Sequence, residues 1–224
     1  MKKTITIPSL LVLILFSGLY AKQALKKPAA ELVRETKDTM STAGELKSGD
    51  LIFQTSLSSQ SKAIQLATKS KYSHCGIIFK EGSKYFVFEA VQPVKKTPLN
   101  KWIARGQNGH YVVKRLKNAD QVLTPETLSK MKQTGGSFKG KNYDLTFEWS
   151  DDRIYCSELI WKIYQRATGI EIGKLQQLRD FDLSDKAVRQ KMKERYGDNI
   201  PMNETVISPA AIFDSRLLIT VDLK

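Results

Sequence analysis

Hydrophobic and polar positions along this chain switch repeatedly between the period of a strand and that of a helix. After a polar turn at Leu46-Lys47-Ser48-Gly49-Asp50, the short apolar run Leu51–Gln54 predicts a strand. Ser58 to Thr68 follows with Ala63, Ile64 and Ala67 at helical spacing. Tyr72 to Phe79 and Tyr85 to Val91 are apolar, β-branched and aromatic, and they flank the polar turn Glu81-Gly82-Ser83-Lys84. That arrangement predicts a hairpin. Pro98 to Ala104 predicts a short helix with Trp102 and Ile103 inward, and Tyr111 to Leu116 predicts a further strand.

Thr124-Pro125-Glu126 has the chemistry of a helix start, and Gly135-Gly136 that of its end. Gly140-Lys141-Asn142-Tyr143-Asp144 predicts a turn, followed by an irregular acidic stretch through Asp151 and Asp152. A helix opening at Cys156 runs to Ala167 and stops at Gly169, with Leu159, Ile160, Ile163, Tyr164 and Ala167 on one apolar stripe. A charged helix over 185–196 predicts a surface element, Ser208-Pro209 opens a last short helix, and Leu217 to Val221 closes as a strand. There is no internal repeat. The order of elements predicts an α+β domain with an antiparallel sheet and helices packed on it.

Composition changes this picture in two places. A 41% hydrophobic and 26% charged chain of 224 residues is an ordinary globular protein, but its net charge of +13 is high. A basic surface suits anionic lipid, cell-wall polymer or nucleic acid. The lysines are spread along the whole chain without a compact run interleaved with aromatics, so nucleic-acid binding is not expected. The second change is at the N-terminus. Lys2 and Lys3 precede an apolar stretch from Ile5 to Tyr20, the pattern of a secretory signal. Residues 1–21 are therefore expected to export the chain, either cleaved near Ala21 or kept as a membrane anchor. Residues 22–45 read as a flexible leader, and 46–224 as the domain.

The candidate chemistry begins at Cys156. A cysteine in the first turn of a helix meets unpaired backbone N–H groups and the positive end of the dipole, and both favour thiolate. His74 in the first hairpin strand is the candidate base. A turn centred between Gly82 and Ser83 puts His74 opposite Val91, so Glu89 is its diagonal neighbour on the same face. A carboxylate in the apolar run Phe86-Val87-Phe88-Glu89-Ala90-Val91 needs a partner, and His74 supplies one. Side chains alternate along a strand, so Cys75 is expected to face away from Cys156 as a small buried hydrophobe. A disulfide between the only two cysteines is not expected on that ground. His110, with no acid suitably placed, reads as a surface residue. No cluster has metal-ligand spacing and no glycine-rich loop cradles phosphate, so neither metal nor cofactor is expected.

Ser73-His74-Cys75-Gly76 in a strand, Glu89 in the next strand and Tyr155-Cys156-Ser157-Glu158 on a later helix resemble the circularly permuted papain-like hydrolases of the NlpC superfamily, in a YiiX/YebB-like branch. Histidine precedes cysteine in the chain, the reverse of ordinary papain-like enzymes. Gly49-Asp50 before the first strand and Gly140-Lys141-Asn142-Tyr143-Asp144 upstream of the cysteine extend the resemblance from about Leu46 to Phe213. It implies a permuted papain-like fold, a small antiparallel sheet or half-barrel with the nucleophile helix packed on it. It also implies Cys156 as nucleophile, His74 as base and Glu89 as third member. Tyr143, Tyr155, Ser157 and Asp50 are the candidates for oxyanion or substrate contact. The expected function is an exported cysteine hydrolase of amide, ester or thioester bonds in the cell envelope. Similarity to the lecithin:retinol acyltransferase type favours a lipid or acyl amide substrate. A peptidoglycan peptide hydrolase is the alternative enzyme, and a non-catalytic envelope-binding protein the alternative of another class. The partners expected are a small-molecule, lipid or peptide substrate, with peripheral membrane contact left open.

Overall fold

A computed structural model describes residues 45–223. The predicted signal or anchor over 1–21 and nearly all of the predicted leader lie outside the described residues. No helix among the described residues is long and apolar enough to cross a membrane.

In chain order the elements are β1 (Leu51–Gln54), α1 (Ser59–Thr68), β2 (His74–Glu81), β3 (Lys84–Glu89), β4 (Lys95–Pro98), α2 (Leu99–Ala104), β5 (Val112–Leu116), α3 (Ala119–Val122), α4 (Pro125–Phe138), α5 (Cys156–Thr168), β6 (Gln176–Gln177), α6 (Lys186–Tyr196), β7 (Thr205–Val206), α7 (Pro209–Phe213) and β8 (Leu218–Leu223). Six strands form one antiparallel sheet in the order β4-β3-β2-β1-β5-β8, while β6 and β7 pair separately. The α+β expectation holds.

Alternation along the strands divides the core in two. Leu51, Phe53, Cys75, Ile77 and Phe79 join α4 and α5 in one cluster, whereas Ile52, Ile78, Val87 and Val113 pack with Leu99 and Trp102 in another. The predicted hairpin register is formed, with Ile77 opposite Phe88 and Ile78 opposite Val87. The predicted pairing of His74 with Val91 is not. Strand β3 ends at Glu89, and His74 pairs with Gln54 of β1 on its other side.

Three expectations are corrected. Helix α4 does not end at Gly135-Gly136 but continues to Phe138. A methyl at Gly135 would stand 3.1 Å from Phe88 Cε1 and 3.5 Å from Ile163 Cδ1, so this glycine lets the helix lie close to the sheet and to α5. Helix α5 is not buried on a single stripe, because all nine residues Cys156–Tyr164 are buried. It is enclosed by the sheet, α4 and the loop between them. Helix α6 is charged but anchored: Val188 and Met192 pack on Ala63 of α1 and on Leu178. Capping agrees with the chemistry of the sequence, with Ser58, Thr124, Asp185 and Ser208 each accepting a backbone N–H at a helix start.

Candidate active site

Cys156 is the first residue of α5 and only 2% exposed. The side chains around it fix that helix start rather than share its chemistry. Tyr155 Oη accepts the Ile207 N–H at 3.1 Å, and the Ser157 hydroxyl donates to the Ile207 carbonyl at 2.7 Å. Two residues flanking the cysteine thus clasp the backbone of Ile207, on both its N–H and its carbonyl, just after β7. Glu158, wholly buried, accepts the Tyr155 N–H at 3.4 Å and meets Lys162 Nζ at 2.7 Å. Burial outweighs that cation and raises the Glu158 carboxyl to about 8.

His74 opens β2 on the face that also carries Ile78 and Trp102. Its ring stacks on the Trp102 ring, with centroids 5.8 Å apart and planes at 25°. Nε2 is 2.6 Å from Glu89 Oε2. Cys156 is the other group that acts on this ring, and with Nε2 taken by Glu89, Nδ1 is the nitrogen left to face the sulfur. Glu89 is completely buried and receives two further donors: Thr97 Oγ1 at 2.6 Å and Arg105 Nη2 at 2.5 Å. The diagonal predicted between His74 and Glu89 is therefore formed. Gly76 makes room for it, since a methyl there would sit 2.3 Å from Val87 Cγ1 and 2.9 Å from the Phe88 carbonyl oxygen.

The electrostatics follow from these contacts. Burial alone would lower His74, but the hydrogen bonds and negative charges of Cys156 and Glu89 outweigh it and raise the imidazole to about 9. Burial pushes Glu89 up, yet the His74 and Thr97 hydrogen bonds and the His74 and Arg105 charges hold it below the usual carboxylate range. Cys156 is held well below the ordinary thiol range by a hydrogen bond from Cys75 and by His74, against the opposing effect of burial. Around it, Cys75 and Tyr143 are both pushed up, first by burial and then by the charge of Cys156. The site holds one thiolate and one imidazolium, ringed by groups that keep their protons.

Cys75 is the clearest correction. It is buried, free and not in a disulfide, but it does not face away from Cys156. Alternation is obeyed, with Cys75 on the α5 side of the sheet and His74 on the other. Cys156, however, shares a buried cluster with Cys75 and also acts on His74, the first residue of β2, so it is a neighbour of both. Asp50 is also not part of the site. It lies at the far end of β1, buried, where its carboxylate takes Arg115 at 2.6 and 2.7 Å and the Lys47 N–H at 2.7 Å.

Tyr143, Tyr155 and Ser157 do border the site, lining with Cys156 a cavity of about 700 Å³, its open mouth included. The Tyr143 hydroxyl accepts from Gln60 Nε2 at 3.1 Å, which leaves its own proton free to donate. The cavity runs between α1 and α6 and is walled mainly by apolar residues, among them Ile64, Phe181, Val188 and Met192. Sequence reasoning missed Thr97, Trp102, Arg105 and Gln60. Thr97 lies on β4, a strand the sequence does not predict, Trp102 is predicted only as an inward helix residue, and nothing local signals Arg105 or Gln60.

Residues 45–221 match the family described as permuted papain-like amidase enzyme, YaeF/YiiX, C92 family, and the chain belongs to that family. A curated relative, uncharacterized protein YiiX of Escherichia coli strain K12, is 54% identical over 179 residues, covering 80% of this chain and 87% of that protein. Among solved structures, one described as metalloprotein yiiX from Escherichia coli O157:H7 matches with a TM-score of 0.77 at 53% identity, covering 81% of this chain and 99% of that chain.

Proposed function

We propose that this permuted papain-like amidase is an exported cysteine hydrolase of acyl amides, working through Cys156, His74 and Glu89. The observation that carries the reading is the His74 ring paired with buried Glu89 at 2.6 Å, with the helix-start Cys156 near enough to the same ring to raise it. A finer membership, in an NlpC-superfamily branch shared with YebB-like proteins, rests on the short motifs alone.

In this reading the Cys156 thiolate attacks the amide carbonyl carbon. The first N–H groups of α5, with the Tyr143 hydroxyl beside them, face the oxygen as it becomes negative. Collapse breaks the C–N bond, and His74 gives its proton to the departing amine, leaving a thioester on Cys156. Water then adds to the thioester as His74 takes one of its protons. The C–S bond breaks, the acid leaves, and the thiolate–imidazolium pair returns. Glu89 keeps the ring charged and aimed, itself held by Thr97 and Arg105. The apolar cavity opening at Cys156 supports an acyl chain on the carbonyl side, more readily than the polar peptides of a cell wall. Export rests on the N-terminal stretch and the basic charge.

The solved relative's description as a metalloprotein does not extend to this donor set. No three His, Cys, Asp or Glu side chains among the described residues are grouped to hold an ion, and no step above runs through one. The test is labelling by a thiol-directed acyl probe, with the site read by peptide mass spectrometry. Wild type is expected to be acylated at Cys156, and Cys156→Ala to take no label. Equal labelling of the variant, or labelling at Cys75, refutes the assignment.

A further inference from the structure

One cation in the wall of the acyl cavity has no task in the mechanism above. Helix α6 turns Val188, Lys191, Met192 and Arg195 towards the cavity at helical spacing. The apolar end of this row and its last residue are separated by about 10 Å along the axis. Lys191 is already engaged by Glu194 at 2.6 Å. Arg195 is half-buried, and no carboxylate or hydrogen-bond acceptor among the described residues meets its guanidinium. It stacks instead over the Phe147 ring at 4.9 Å. Phe147 has φ of 51°, a left-handed backbone that an aromatic residue seldom adopts. The buried Asp144 carboxylate holds that loop, accepting the Thr146 N–H at 2.9 Å and the Glu148 N–H at 2.6 Å. Phe147 also meets the Tyr155 ring edge-on at 5.1 Å, beside the nucleophile. Arg195 and Cys156 line the same cavity, and the rings of Phe147 and Tyr155 link the guanidinium to the residue just before the nucleophile.

Resting on the amidase reading, we infer that Arg195 is a specificity residue that binds a carboxylate on the amine half of the substrate, making the preferred substrate an N-acyl amino acid. The acyl chain lies along Val188 and Met192 with its carbonyl at Cys156. The group on the nitrogen then falls near Arg195, where the stacked, planar fork presents paired N–H donors. A single guanidinium matches one carboxylate. A doubly charged phosphate would call on a second cation, and Lys191 is committed to Glu194.

The test compares N-decanoylglycine with its neutral counterpart N-decanoylethanolamine, using the full chain as wild type, Arg195→Gln and Arg195→Lys. Wild type is expected to favour the carboxylate substrate by about 10- to 100-fold in kcat/KM, mostly through KM. Arg195→Gln is expected to erase that ratio and Arg195→Lys to restore part of it, a pattern that mere loss of structure would not give. Equal turnover of the two substrates by wild type, or an unchanged ratio in Arg195→Gln, overturns the inference and leaves the amidase reading standing. Turnover of neither, by protein whose Cys156 still takes the acyl probe, overturns the substrate class. Absence of both turnover and labelling sinks the amidase reading itself.

Discussion

Replacing Glu89 by Gln keeps its shape and removes its charge, and the consequence can be worked from the contacts. The buried carboxylate accepts from His74, Thr97 and Arg105. Arg105 is 43% exposed at its side chain, so water takes over its solvation, whereas His74 at 11% has no such recourse. Holding His74 charged to about 9 rather than 6.5 corresponds to about 3 kcal/mol. Cys156 and Glu89 share that effect, so losing Glu89 costs the imidazolium roughly 1–2 kcal/mol, about one pH unit. The thiolate–imidazolium pair exists above the depressed value of Cys156 and below that of His74. Alkylation by iodoacetamide, followed at the Cys156 peptide, reads the thiolate directly. At pH 6 an ordinary thiol is only about 0.3% ionised. Wild-type Cys156 is expected to react far faster than that fraction allows, although a low-pKa thiolate is the weaker nucleophile. Glu89→Gln is expected to leave alkylation at pH 6 nearly unchanged, because an imidazole brought down one unit from about 9 is still charged there, and to move the alkaline loss of turnover down by about one pH unit. Above about pH 9 the imidazolium is lost but the thiolate is kept, so alkylation persists while turnover, which needs the His74 proton for the leaving amine, declines. A wild-type alkylation profile rising as one ionisation near pH 8.5, or identical profiles of turnover against pH for wild type and Glu89→Gln, refutes the reasoning.

Gly76→Ala drives a methyl to within 2.3 Å of Val87 Cγ1 and 2.9 Å of the Phe88 carbonyl oxygen. It is expected to cost about 1–3 kcal/mol, a fall in Tm of roughly 3–10 °C by calorimetry; a Tm within a degree of wild type contradicts the close packing. Asp50→Asn leaves Arg115, only 16% exposed at its side chain, without its buried partner, and a loss of roughly 3 kcal/mol in urea unfolding is expected. The same variant should alkylate at Cys156 as wild type does, and a slowed reaction would return Asp50 to the site.

Much of the fold was legible because its signals are local. The hairpin register followed from one turn and two apolar runs, and the helix starts from Ser58, Thr124 and Ser208. The misreadings came where a residue answered to something distant. Gly135 looks like a terminator, but it is small because Phe88 and Ile163 approach it. Asp50 sits in a motif beside the first strand, yet its partner Arg115 arrives from β5, remote in the chain. The motif around Cys156 was read as chemistry throughout, whereas Tyr155 and Ser157 spend their side chains on Ile207. Thr97 and Arg105 were unseen for the same reason: their purpose is visible only once Glu89 is known to be buried.

Cys75 shows where an otherwise sound rule stops. Alternation describes directions away from a strand's axis, and it correctly separates His74 from Cys75. It excludes a shared partner only if that partner lies above one face. The first residue of α5 instead approaches the end of β2, where the two faces meet, and a group there touches both. The geometry has a chemical consequence. Cys75, buried and pushed up so that it keeps its proton, helps hold Cys156 as a thiolate while His74 balances its charge. The same position explains why chain order can be reversed without harm. Base and orienter are fixed to each other by hairpin register alone, and the nucleophile is fixed by its own helix start. Only the docking of α5 on β2 must bring them together, and that contact does not depend on which element the chain reaches first.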